Sequence, residues 1–528
     1  MDNQFNGEIM GQDYFLEEPA ESELKGDVTA VKKFGLMAII FGALHTFCLY
    51  RNTSGITYPF FMAGTLLLIA WTRRSEGLSI FRDKNGKIGL NIFYIISLML
   101  LSVSKFTTAN GTILTLDGFA IYLLVFSFLL HMCIDTNGWD IISQFIGILL
   151  ASLSPITKLA DPIVDGITWF KSRGKAVDYE KRRTMVAVFA GICIAMPLLL
   201  IVIQLLASAD AIFEDVLEKM TGVFKLPDNI LDIFGMAFMF VVTFWLFYTV
   251  AKVLSAEKVK VNNKNCGYNA VTAITFSSLL CLVYLLFSVI QIVFLFMGNM
   301  TLPEKYTYAE YAHEGFYQLL AVSVMNFVIV TLCQKLFAES KVLKVILVVI
   351  GFCTYIMITS SAFRMFMYIE AYNLTFLRVF VLWFLAVLAI CLAYLLVSLF
   401  DKSFPVYKIS MVTITVMYIV FAFAHPDYFI AKYDIAKMGT GEGVPQISGD
   451  FEEYGNSMAR YLTWEISEDA VPAYVGHPTL LAKYSTDYYG RGGVPLTEKY
   501  KEIRKFNLAR YRAYKLCSPY HQEKESSN

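Results

Sequence analysis

Eleven long apolar stretches fill most of residues 34–424, and a chain patterned this way has few folds open to it. Inside a bilayer every backbone polar group must be paired within the protein, which leaves helices or closed barrels. These runs are continuous, whereas barrel strands alternate apolar and polar residues, so they predict helices. A crossing takes roughly 20 residues. Spans are read at 34–50, 56–72, 89–104, 113–133, 184–208, 230–254, 268–298, 316–338, 342–363, 373–400 and 405–424. The expected fold is all-α: a polytopic transmembrane helix bundle of about 11 spans with a small, mostly helical C-terminal extramembrane domain. A hydrophobic share of 56% against 17% charged residues is far from that of a soluble domain. The net charge of zero makes no electrostatic case for nucleic acid.

Lysine and arginine cluster in every second gap between spans. Those gaps and the segment before the first span carry 24 of them, for example Arg73, Arg74, Arg82, Lys84 and Lys87. The intervening gaps up to span eight carry five, and Arg364 and Arg378 border the remaining one. Basic loops stay in the cytoplasm, so the N-terminus is read as cytoplasmic and the C-terminal tail as extracellular. The start is acidic and polar, without a signal peptide's basic and apolar run, so the first span is expected to act as an uncleaved anchor.

The layout is then a polar cytoplasmic tail (1–33), an N-terminal membrane region of about four spans with an interfacial helix and a cytoplasmic loop (34–183), a C-terminal membrane region of about seven spans (184–424) and an external tail domain (425–528). The segment WDIISQFIGILLASLSPI (139–156) is apolar, but a crossing there would place seven following cations outside. It is read as interfacial or re-entrant. Residues 209–226 place apolar positions on one helical face and Glu214, Asp215 and Glu218 on the other, which predicts an amphipathic helix on the outer surface.

Recognisable reaction chemistry is missing from the sequence. Nine cysteines show no CxxC pair, so neither a disulfide framework nor a zinc site is expected. The six histidines form no HExxH, and the glycine-rich phrases lack the lysine and hydroxyl of a P-loop. No kinase, hydrolase or nucleophile-elbow motif is present. No catalytic residue, cofactor or metal is therefore assigned.

Several phrases are distinctive: LLASADAIF (205–213), LPEKYTYAEYAHEGFYQLL (302–320), RMFMYIEAYNLTFLR (364–378), DYFIAKYDI (427–435), YLTWEISEDAVPAY (461–474) and IRKFNLARYRAY (503–514). Together they resemble an uncharacterised family of bacterial multi-pass membrane proteins, domain of unknown function 4173, related to 4153. The resemblance runs from about residue 184 to the end, with His313 where the pattern has arginine. It implies a motif map and no activity. By the charge argument these phrases fall outside or at the outer membrane edge. A shared outward-facing site would draw on Asp210, Tyr308, Glu310, Tyr311, Glu314, Arg364, Tyr368, Tyr372 and Arg378.

Each of these residues also has a plainer reading. Tyr308, Tyr311 and the carboxylates Glu310 and Glu314 suit an interfacial aromatic belt. The two glutamates, four apart, share a helical face and repel mildly, which a nearby cation would relieve. Arg364 and Arg378 either snorkel to water or pair with acids and lock the outer face. Asp117, early in the fourth span, is a costly charge at membrane depth and a candidate for ion coupling. Residues 496–516 carry seven cations, with Tyr500, Ile503, Asn507, Tyr511 and Tyr514 at helical spacing. That pattern suits anionic lipid or a wall polymer, or else a helix that caps the tail. Three functions follow in order of preference: a non-enzymatic binding, sensing or scaffold protein presenting its tail, a transporter or permease, and a transferase acting on lipid-linked substrates.

Overall fold

A computed structural model of the chain describes residues 26–83, 85–136, 138–172, 230–256, 266–293, 308–440, 460–490 and 503–526, with isolated positions elsewhere. The expected span at 184–208 and the amphipathic helix at 209–226 lie largely or wholly outside the described residues. Contacts divide the chain into two units, one within 1–40 and 155–252 and the other within 41–154 and 253–528.

The helices are α1 (Val28–Leu49), α2 (Thr57–Ser75), α3 (Gly89–Thr107), α4 (Gly111–Cys133), α5 (Ile141–Thr157), α6 (Asp161–Ser172), α7 (Ile230–Ser255), α8 (Ala270–Ile292), α9 (Tyr308–Leu336), α10 (Lys341–Tyr372), α11 (Phe376–Phe400) and α12 (Val406–Phe423). The tail adds α13 (Pro426–Thr440), a turn at Tyr461–Glu465, a 3-10 helix at Glu468–Tyr474, α14 (Pro478–Gly490) and α15 (Leu508–Ser526). Among the described residues nine helices are long and apolar enough to cross a membrane: α1, α3, α4 and α7 to α12. The count is ten if the pair α5 and α6, broken at 158–160, forms one span. The segment read as interfacial or re-entrant is the first half of that broken pair.

The second sequence-predicted span, α2, is less apolar than the nine. Its path in the second unit nevertheless runs end to end. It begins at the turn 50–56, which the tail residue Phe506 holds through an Ile56 N–H bond of 2.8 Å. It ends 19 residues later at the loop leading into α3, a rise of about 28 Å. Its Met62, Leu66 and Ile69 pack with Tyr94, Leu98 and Leu101 of α3 and Leu124 and Phe128 of α4. The turns 50–56, 108–110 and 373–375 touch the tail, and α12 runs directly into it. The loops 76–88, 134–140, 337–340 and 401–405 lie at the opposite end.

Helix boundaries follow local chemistry. Asn110 caps α4, its side chain accepting from Ile113 N–H at 3.0 Å. Asn269 caps α8 in the same way through Val271 N–H at 2.9 Å. Outward faces are apolar, as lipid requires: Leu279, Leu282 and Leu286 of α8 are all more than 60% exposed while Tyr284 beside them is buried. A second core joins α8, α9, α10 and α11 through Tyr284, Leu319, Val330, Leu347, Ile350 and Leu395.

The tail has its own core, with Ile430, Leu462, Val471, Tyr474, Leu481, Tyr484 and Cys517. Leu374, from the turn between α10 and α11, and Phe376 and Val379, from the start of α11, pack against it. Tail and membrane base therefore share apolar contacts as well as polar ones.

In the other unit, Asp165 of α6 gathers three donors. Asp27 N–H donates at 2.6 Å, the Tyr248 hydroxyl at 2.7 Å and Lys252 Nζ at 2.5 Å. Asp161 also pairs with Lys252, at 2.9 Å. Around them Ala30, Phe34, Ala38 and Tyr248 form a small core.

Candidate functional site

The polar chemistry of the second unit concentrates where the tail meets the helix turns. Thr108-Ala109-Asn110 separates α3 from α4, and a turn this short exposes backbone groups that need partners. The tail supplies them. Asp469 accepts from the Thr108 hydroxyl and from Ala109 N–H, the latter at 3.0 Å. Asp427 accepts from Asn110 Nδ2 at 2.8 Å and from the Ser467 hydroxyl. Asn507 Nδ2 donates to the Thr108 carbonyl at 2.8 Å, and His425 Nδ1 lies 3.6 Å from Asp469. Asp427 is 1% exposed and Asn507 fully buried.

A second set of bonds grips the turn 50–56. The Arg504 carbonyl accepts from Asn52 Nδ2 at 3.1 Å, and its guanidinium donates to the Phe47 carbonyl at 2.9 Å. Gly55 sits so close to the Arg504 carbonyl that a Cβ would overlap it. The third set holds 373–376. Leu374 N–H donates to Asp434 and Phe376 N–H to the Tyr461 hydroxyl, each at 3.0 Å, and Lys437 Nζ donates to the Glu370 carbonyl at 3.0 Å.

Burial sets the electrostatics here. It pushes the Asp434 carboxyl up to about 6, against the opposing pull of Leu374 N–H, Arg378 and Lys437. It raises Asp427 as well, helped by the negative charge of Asp469 and opposed by Ser467 and Asn110. Each of these carboxylates is held by fixed donors through one oxygen, while Asp427 Oδ1 and Asp434 Oδ2 are buried without a hydrogen-bond partner among the described residues. The bonded oxygens form a latch on the turns 108–110 and 373–376.

Below the latch, within the helices, Asp117 of α4 is fully buried and accepts from the Tyr418 hydroxyl of α12 at 2.7 Å. Lys105 of α3 acts on the same carboxylate and donates to the Leu114 carbonyl at 2.7 Å. Its ammonium also lies 4.9 Å from the centre of the Tyr58 ring. Asp117 thus has a cationic and a hydrogen-bonding partner from neighbouring helices, which offset part of its desolvation, while its Oδ2 is buried without a hydrogen-bond partner among the described residues.

The sequence-predicted site residues fall into three groups. Asp210 lies outside the described residues, as do the side chains of Tyr308, Glu310, Tyr311 and Glu314, whose backbone forms the start of α9. Arg364 is buried in α10, with its guanidinium against Gly315, the residue after Glu314; a Cβ at that glycine would overlap it. Tyr368, Tyr372 and Arg378 come together. The Arg378 guanidinium stacks 4.2 Å from the Tyr368 ring centre and donates to the carbonyls of Tyr372 (2.6 Å) and Asn373. It caps the C-terminal end of α10, where Asn373 takes a positive φ of 66°.

One helical reading is corrected. Residues 503–514 do not form one continuous helical face: Ile503–Lys505 is a 3-10 turn, and α15 starts only at Leu508. Asn507 therefore points into the turn 108–110 and caps α15 through Arg510 N–H at 3.2 Å, while Ile503 stays 79% exposed. The latch residues Asp427, Asp469, Asn110 and Asn507 were not among the sequence-predicted site.

Among the described residues no group of three or more His, Cys, Asp or Glu side chains is placed to hold a metal ion.

Apolar helices running end to end, with a folded tail bonded to the turns at one end, define a multi-pass helical membrane protein. The family model described as Domain of unknown function (DUF4153) matches residues 95–476. The chain belongs to that family; the match is to 4153 rather than to the related 4173, and it reaches back to α3. No match was found among curated proteins or among solved structures.

Proposed function

We propose that this chain is a non-enzymatic binding, sensing or scaffold protein of a bacterial cell membrane that presents its tail domain outside the cell. The observation that carries this reading is the latch. Buried, directional bonds from Asp469, Asp427 and Asn507 to 108–110 fix the tail on the ends of the membrane helices. A rigid mount of that kind suits a domain held ready for a partner. The basic loops, with Arg73, Arg74, Lys335, Lys344, Lys402 and Lys408, sit at the end opposite the tail, and basic loops mark the cytoplasmic side. On this reading the N-terminus is inside, the tail is outside and the segment 139–156 does not cross. Anionic lipid or a wall polymer suits the basic tail surface around Arg504, Lys505, Arg512 and Lys515.

A transporter or permease is the second reading, and the Lys105, Asp117 and Tyr418 cluster favours it, since a charged pair inside spans marks ion pathways. Transport requires neighbouring helices to move against each other. The two readings separate in a deletion strain that shows an envelope phenotype. One variant carries Ser127→Cys and Tyr407→Cys, whose native hydroxyls lie 2.8 Å apart between α4 and α12, bridged by a short bifunctional thiol reagent after Cys266→Ser. The other carries Asp469→Ala and Asp427→Ala, which release the tail. A scaffold is rescued by the bridged base and not by the released tail; a transporter shows the reverse.

A further inference from the structure

At the end opposite the tail, the second unit holds a cavity of about 490 Å³ between the loops 136–141, 337–340 and 402–405. Its lining mixes apolar residues, Leu347, Leu395 and Leu399 among them, with polar ones such as Thr331, Gln334 and Ser398. Its rim carries Lys335, Lys344, Lys402 and Lys408 against two carboxylates, Asp140 and Glu339, a surplus of two positive charges. Both carboxylates are engaged already. Asp140 lies 2.6 Å from Lys335, and Glu339 pairs with Lys344 at 3.7 Å and with Lys402.

Two helices also begin at this rim, α10 with 32 residues and α12 with 18. Neither has a side-chain cap: Ser340 and Pro405 precede them, and neither makes the capping bond. Their first-turn residues Leu343, Lys344, Tyr407 and Lys408 line the cavity. Helix N-termini carry partial positive charge and free N–H groups, so both add to the potential of the lysines.

We infer that this cavity binds the phosphate of an anionic membrane lipid. The headgroup sits at the rim among Lys344, Lys402 and Lys408, and the acyl chain runs along the leucine wall. A soluble phosphate would use the rim alone. The leucines of the lining and the position at the helix ends, where lipid headgroups lie, favour the lipid. This inference stands independently of the role given to the tail.

The test uses the purified full chain in a neutral detergent, with native mass spectrometry and thermal unfolding as readouts. Phosphatidylglycerol, phosphatidylcholine and inorganic phosphate are added separately. Phosphatidylglycerol is expected to bind at least about tenfold more tightly than phosphatidylcholine and to raise the unfolding temperature, while inorganic phosphate at matched concentration does not. Lys402→Gln with Lys408→Gln should weaken phosphatidylglycerol by about fivefold per lysine removed. Lys402→Gln alone, at a side chain 63% exposed, tolerates folding and should show the single fivefold loss. Lys432→Gln, at an exposed position of the tail, should leave binding unchanged. Equal binding of the two lipids, or lysine variants that bind like the parent, overturns the inference. Stabilisation by inorganic phosphate without a lipid preference overturns the lipid assignment.

Discussion

The Asp469 carboxylate accepts the backbone N–H of Ala109 at 3.0 Å across 360 residues of chain. One carboxylate of the tail thereby fixes the turn between two membrane helices, and its second oxygen takes the Thr108 hydroxyl. Asp469→Ala would leave both donors buried without a partner, at a cost of about 3 kcal/mol. The expected outcome is a tail cut rapidly by protease in detergent while the membrane helices stay protected. Parent-like protease resistance would remove the latch from the account.

Asp434 gives the junction a pH dependence of definite sign. Its carboxyl moves from an ordinary 3.8 to about 6 on folding, so the folded state holds the proton more tightly than the unfolded one. The associated stability is fully present below about pH 4 and is lost as pH rises through 6. Two pH units correspond to about 3 kcal/mol as an order of magnitude. Unfolding temperatures measured from pH 4.5 to 7.5 should fall with rising pH in the parent and flatten in Asp434→Asn. A profile unchanged by that substitution would assign the dependence to another group.

Arg378 caps α10 with a planar fork that lysine cannot reproduce. Arg378→Lys should therefore lose about 1 kcal/mol despite keeping its charge, through the lost carbonyl bonds and the weaker stacking on Tyr368. Thermal unfolding checks this; a lysine variant as stable as the parent would reduce Arg378 to a solvated charge.

Gly315 and Arg364 are coupled by space. Gly315→Ala places a methyl where the buried guanidinium lies, at a cost of about 1–2 kcal/mol. In an Arg364→Ala background the same change should be close to neutral. A double-mutant cycle on unfolding temperature reads this coupling directly, and additive losses would contradict it. Charge reversal at Glu314 and Arg364, singly and together, extends the cycle to the sequence-predicted outer site.

Much of the membrane base was legible because helical hydrophobicity is a local signal. Nine of the spans read from the sequence coincide with helices of crossing length among the described residues, and α2, less apolar than these, keeps its place through packing. The junction was half legible. The phrases around 427–435, 461–474 and 503–514 stood out, and they contain Asp427, Asp434, Tyr461, Asp469 and Asn507. Their partners did not stand out, because Asn110 is an ordinary N-cap and Thr108 and Ala109 act partly through backbone atoms. Sequence spacing carries no trace of a bond spanning 360 residues. Arg378 was read as pairing with an acid or snorkelling; the ends of α10 supplied carbonyl acceptors that a sequence does not display. The cavity at the opposite end was missed because Lys335, Lys344, Lys402 and Lys408 had served only as topology markers.

The central claim, a tail latched on the outer membrane face with the basic loops inside, is tested most directly by site-directed cysteine labelling in intact cells. After Cys133→Ser, Cys193→Ser and Cys266→Ser, Val475→Cys probes an exposed tail position and Lys402→Cys an exposed loop position. A membrane-impermeant thiol reagent should label position 475 in intact cells and position 402 only after permeabilisation. Labelling of 402 and not 475 in intact cells, or of both from one side, would contradict the account.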